Sequence, residues 1–143
     1  MAAIPVSLEP ELPFEFIVKG TAISLQGSSE SKRTWKETVQ TAAKVALPEG
    51  AWLLTDPVAV TIYLFPAAEM QGDVDNRVKP ILDAMVRCVY SDDEIVERVV
   101  VQKFEPGHIF AFQSPSAALL RALQAEEPVV YIRIAGDVHE ELS

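Results

Sequence analysis

Apolar and polar residues alternate along "FEFIVKG" (14–20). Phe14, Phe16 and Val18 point one way and Glu15 and Lys19 the other, the two-residue period of a half-buried strand. "VAVTIYLF" (58–65) repeats the pattern with Val58, Val60, Ile62 and Leu64, and Pro66 stops it. "IVERVVVQKF" (95–104) and "VVYIRI" (129–134) supply two more strands. Between them the period changes to that of helices. After a loop, "SLQGSSESKR", the spacing predicts a helix from about Thr34: Thr34 and Glu37 have capping-box spacing, and Trp35, Val39, Ala42 and Ala46 share a face. Val78, Ile81, Leu82, Met85 and Val89 mark a second helix, and Pro80, which cannot sit deep inside one, sets its start near residues 77–80. "SPSAALLRALQAEE" is a third, with Pro115 acceptable in a first turn and Pro128 marking the end.

The order β-α-β-α-β-α-β predicts an α+β fold of two layers, a mainly mixed β-sheet with helices packed on it. An α/β fold with a parallel sheet is the alternative. Without repeat, low-complexity segment or linker, the 143 residues are expected to form one domain (1–143), with 1–12 and 135–143 as flexible ends.

Composition narrows the class. Apolar residues make up 49% and charged residues 23% of the chain, a globular balance. No apolar run approaches the roughly 18–20 residues of a membrane span, and the N-terminus lacks the basic start and apolar block of a secretory signal. The one cysteine, Cys88, reads as a small core residue of a reduced, cytoplasmic protein. The net charge of −9 argues against a polyanionic partner. Its distribution weakens that objection: residues 1–18 carry −3, residues 104–143 carry −4, and the long middle only −2.

The middle also holds the chemistry. "GDVDNRVKPILDAM" (72–85) places Asp73 and Asp75 two apart at a strand-to-helix entry, where an extended backbone points both to one side. Two carboxylates held together repel unless a cation sits between them. Mg²⁺ suits the place, being hard, oxygen-liganded and often held by one or two carboxylates. Asp92 and Asp93, in "YSDDEIV", offer a further carboxylate. Lys79, four residues after Asp75, offers an ammonium for a phosphate. The plainer account makes the acids helix caps and turn residues and Lys79 a solvated charge. A calcium loop of the EF-hand kind is excluded, since Val78 stands where that loop needs Gly.

Lys32, Arg33 and Lys36 form the densest basic cluster. Cations at a helix start oppose its dipole, so a phosphate partner is one account of them and a solvated helix end the other. Arg77 and Arg87 lie within reach of backbone phosphates, although Arg87 also has the spacing to pair with Asp83. His108 and His139 have no partner at ligand spacing. Trp35 and Trp52 are expected in a core or an interface rather than as stacking platforms.

"DVDNRVKPILDAM" followed by "V-Y-S-DD-E-I-V" resembles the D-x-D-N-x-x-K…D-D signature of RusA-type Holliday junction resolvases. The order of elements around it, from the "F-x-V-x-G" strand to the helix carrying Trp35, agrees. The resemblance implies a Mg²⁺-dependent, structure-specific endonuclease resolving four-way junctions in DNA recombination and repair, working as a homodimer. It implies that Asp73, Asp75 and Asp93 are the metal-binding and catalytic carboxylates, with Lys79 as the basic residue of the site. Asn76 would cap or orient the pair, and Asp92 would be an accessory metal ligand. Lys32, Arg33, Lys36 and Arg77 are the expected DNA contacts. A junction binder without cleavage, and another Mg²⁺-dependent Asp-x-Asp phosphotransfer enzyme, are the rivals.

Overall fold

The computed structural model describes residues 10–108 and 110–139. Among the described residues four strands form one open, mixed sheet: β1 (Phe14–Lys19), β2 (Val58–Phe65), β3 (Val96–Lys103) and β4 (Val129–Ala135), in the order β1-β4-β2-β3. β4 pairs antiparallel with both β1 and β2, and β2 pairs parallel with β3. The parallel pair needs a crossover, which the helix α2 (Val78–Met85) supplies. The fold is α+β with a mixed sheet, as the element order predicts.

The alternation along each strand sorts side chains between two faces. Phe14, Phe16, Val18, Val58, Val60, Ile62, Leu64, Val130, Ile132 and Ile134 enter the main core with Trp35, Val39 and Ala43 of α1 (Ser29–Ala46) and Ile81, Ala84 and Met85 of α2. The opposite face carries a smaller cluster, where Tyr131, Val129 and the partly buried Ile17, Tyr63 and Phe65 meet Ala118, Leu119 and Ala122 of α3 (Ala117–Gln124). β4 is covered on both sides, so nearly all of it is buried.

Helix α1 starts earlier than its apolar spacing predicts. Ser28 is the N-cap, its Oγ accepting the Ser31 N–H at 3.1 Å, and the Ser-rich run is the first turn rather than a loop. Such a cap contributes about 1 kcal/mol. Ala46 lies exposed at the far end. Pro115 precedes the Ser116 cap of α3 rather than entering its first turn. Of the ends expected to be flexible, residues 1–9 and 140–143 lie outside the described residues. Ala135 is a buried strand residue paired with Ala59. Among the described residues no helix is long and apolar enough to cross a membrane.

Candidate functional site

The segment between β2 and α2 is pinned from both sides. Met70 buries its side chain, and its N–H donates to Glu105 Oε2 at 2.7 Å, just past the end of β3. That bond, with help from Lys103, holds the Glu105 carboxyl below its ordinary value. Arg77 closes the other side: its guanidinium donates to the Gln71 carbonyl at 2.8 Å and to the Ala22 carbonyl. Between these anchors Gly72 adopts φ +80, a conformation that costs other residues strain, and turns the chain into Asp73.

Asp73 and Asp75 emerge exposed. The extended backbone expected to point both to one side is not there, because Val74 is helical (φ −61, ψ −39) and Asp75 opens a 3₁₀ turn, Asp75–Arg77, that runs into α2. Neither that turn nor α2 has a side-chain cap. Neither Asp73 nor Asp75 is therefore a helix cap, although Asp75 in the first turn suits the helix dipole. Asn76 does not cap either; its backbone carbonyl accepts the Leu25 N–H at 2.9 Å, tying the loop before α1 to the motif.

Asp92 and Asp93 divide their work. Asp92 is an N-cap, its Oδ1 accepting the Asp93 N–H at 2.8 Å. Asp93 is exposed, and among the described residues no donor bonds the carboxylates of Asp73, Asp75 or Asp93. Lys79, on the helix that follows the pair, bonds a different acid. Its Nζ lies 3.0 Å from Asp83 Oδ1, one helical turn on. That bond and charge, and the more distant charge of Asp93, raise the ammonium's pKa above its ordinary 10.5. Asp83 thus pairs with Lys79 rather than Arg87, which lies past α2 in a left-handed turn at φ 61. Tyr90 completes the frame: its buried hydroxyl donates to the Leu82 carbonyl at 2.7 Å. Burial, then Asp83 and Asp93, push that hydroxyl's pKa up.

Lys32 is partly buried and donates to the Leu25 carbonyl at 3.1 Å, while Arg33 and Lys36 are exposed. With the helix starting at Ser29, all three lie beyond its first three residues, and the dipole offers little reason for or against them. Trp35 is buried, but Trp52 is 66% exposed and not a core residue. Cys88 sits in the turn after α2, half-buried against the core, and burial pushes its thiol up. His108 and His139 are exposed.

Hard oxygen donors with unspent lone pairs are what a small divalent cation takes. Asp73, Asp75 and Asp93 fit that chemistry. Among the described residues no three of His, Cys, Asp and Glu stand close enough together to hold a metal ion. Sequence reasoning missed Glu105 and Tyr90, and misassigned Asp83. The four-residue spacing from Lys79 to Asp83 was the one readable signal for these.

Compared with known families, residues 20–111 match Endodeoxyribonuclease RusA. The matched span holds Asp73, Asp75, Lys79 and Asp93 and leaves out β1, α3 and β4. No curated protein matches the chain.

Proposed function

The chain belongs to the endodeoxyribonuclease RusA family, and on that premise we propose a Mg²⁺-dependent resolvase that cuts four-way DNA junctions as a homodimer. Residues 1–143 act as one nuclease domain, in the cytoplasm, in recombination and repair. The observation that supports the reading best is at Lys79. It stands one turn after the Asp73–Asp75 motif, paired at 3.0 Å with Asp83, and the charge of Asp93 adds to that of Asp83 in raising its pKa.

In this reading the carboxylates of Asp73, Asp75 and Asp93 hold the cation, and Asp92, spent on its cap, is accessory. When bound, a divalent cation supplies positive charge against the phosphate and makes water more acidic, which phosphodiester hydrolysis lacks at neutral pH. Lys79, its pKa raised, stays protonated and acts as a cation rather than a base. It donates to a phosphate oxygen with the N–H groups that Asp83 leaves unused. Water's oxygen bonds to phosphorus, the bond to one sugar oxygen breaks, and that oxygen takes up a proton. Lys32, Arg33 and Lys36 contact flanking phosphates. Arg77 shapes the Asp73 loop from within, through the two carbonyls it already bonds.

Resolving a junction requires two cuts, and one chain carries one set of acids, so two-fold pairing supplies the second set. The test uses a labelled four-way junction and a linear duplex, with and without Mg²⁺. Wild type is expected to cut the junction with Mg²⁺ alone, and Asp75→Asn to lose cutting while binding as tightly or tighter. Near-normal cutting by Asp75→Asn defeats the assignment. Light scattering across a dilution series tests the dimer, and a persistent monomer that makes paired cuts defeats that part.

A further inference from the structure

Trp52 has the largest exposed fraction of any aromatic ring among the described residues, 66%. It lies in the connection between α1 and β2, and this stretch of chain is fixed. Two residues on, Leu54 donates to the Val89 carbonyl at 2.9 Å and accepts the Ser91 N–H at 2.9 Å. Those bonds hold the loop against the turn that leads directly into Asp92 and Asp93.

The same turn meets the end of a basic flank. At about 100° per residue, Lys32, Arg33, Lys36 and Lys44 of α1 fall within about a third of its circumference, and Glu30 and Glu37 lie beyond them. At one end of this flank Lys32 bonds Leu25, which bonds Asn76 of the Asp motif. At the other, the Gln40 carbonyl accepts from Cys88 Sγ at 3.8 Å, and the Lys44 charge is felt at the Cys88 thiol. Arg87, exposed, is the neighbouring residue of that turn. Cations thus run along α1 from the Asp motif to the turn beside Trp52. The loop itself carries Glu49 and Asp56, so its contact with DNA must come from the ring and not from charge.

We propose that Trp52 stacks on a nucleobase left unstacked at the branch of a DNA junction, while Lys36, Lys44 and Arg87 hold the adjoining phosphates. The inference rests on the nuclease reading above. A continuous duplex hides its base faces, whereas a branch exposes them, and a large aromatic face accepts any base. The cations leading to the ring favour this occupant over a protein surface. Trp52 becomes a positioning residue that sets where the branch lies relative to Asp93.

The experiment places 2-aminopurine at the branch of a four-way junction and measures binding in chelator, beside a linear duplex. Wild type is expected to quench the 2-aminopurine on binding, with its own tryptophan emission falling. Trp52→Ala should bind the junction roughly 5- to 100-fold more weakly and lose the quench, with duplex binding changed by less than about two-fold. Trp52→Phe should recover most of both. Equal junction binding and an unchanged quench in Trp52→Ala overturn the proposal and leave the nuclease reading intact. Loss of dimer mass by Trp52→Ala, with the quench unchanged, assigns the ring to a second copy and overturns it equally. A wild-type protein with no preference for junction over duplex overturns both.

Discussion

Replacing Arg77 by Met keeps the side chain's stem and removes the two bonds from its guanidinium to Ala22 and Gln71. The bond to Gln71 is exposed, so solvent reduces it to about 0.5–1 kcal/mol, and that to Ala22 is partly buried and counts near the low end of a charged hydrogen bond, about 1.5–2 kcal/mol. Together they contribute about 2–3 kcal/mol. With an unfolding entropy of about 2.1 cal/mol/K per residue, that lowers the midpoint of a chain this size by about 7–10 °C. The loop carrying Asp73 loses an anchor, and cleavage should fall roughly 10- to 100-fold through misplacement alone. Thermal unfolding gives the first number. Junction affinity across a salt series separates this role from a phosphate contact, which would contribute about 0.9 to the slope. Arg77→Met should leave the slope unchanged. A variant of wild-type stability whose slope drops by about 0.9 refutes the clamp and makes Arg77 a DNA contact.

Asp92→Ala should cost about 1 kcal/mol through its lost cap yet retain most cleavage, whereas Asp93→Asn should keep its stability and lose cleavage; denaturant melts beside junction assays check the pair. Changing Lys32, Arg33 and Lys36 to Ala should flatten the salt dependence of junction binding by roughly one unit of slope per lost phosphate contact, and an unchanged slope returns the cluster to a solvated helix face. Glu105 is held below its ordinary 4.5 by the Met70 N–H, so its stabilising effect is present above that value and lost as pH falls through the lower, folded one. Glu105→Gln, which can still accept the bond, should therefore flatten the acid limb of stability against pH, as acid titration at fixed denaturant measures.

The strands were legible because every second residue declares its face: Phe14, Phe16 and Val18 enter the core as their spacing requires. The start of α1 was not, since serines favour both loops and caps, and only the Ser28–Ser31 bond decides between them. Nor was the sheet order, which depends on pairings as distant as Phe14 with Ile134. At the site, residue types and spacing pointed to Asp73, Asp75, Lys79 and Asp93. Their surroundings were hidden. The Met70–Glu105 bond spans 35 positions, and the left-handed turn at Arg87, a residue that seldom adopts it, moved its side chain out of register with Asp83.

The position of β4 has a consequence for how the molecule is made. It comes after the other three strands in the chain yet lies between the first two in the sheet. On a ribosome adding about 5–20 residues per second, β1 and β2 emerge long before the strand that joins them. Until Val129–Ala135 arrives, β1 has no sheet neighbour and β2 presents an open edge. Contacts this distant in sequence close slowly, and a nascent edge left waiting is a template for pairing with other chains. A message truncated between the codons for Asp93 and Val129 yields a polypeptide that retains all four acids of the motif and cannot assemble the sheet on which they are carried.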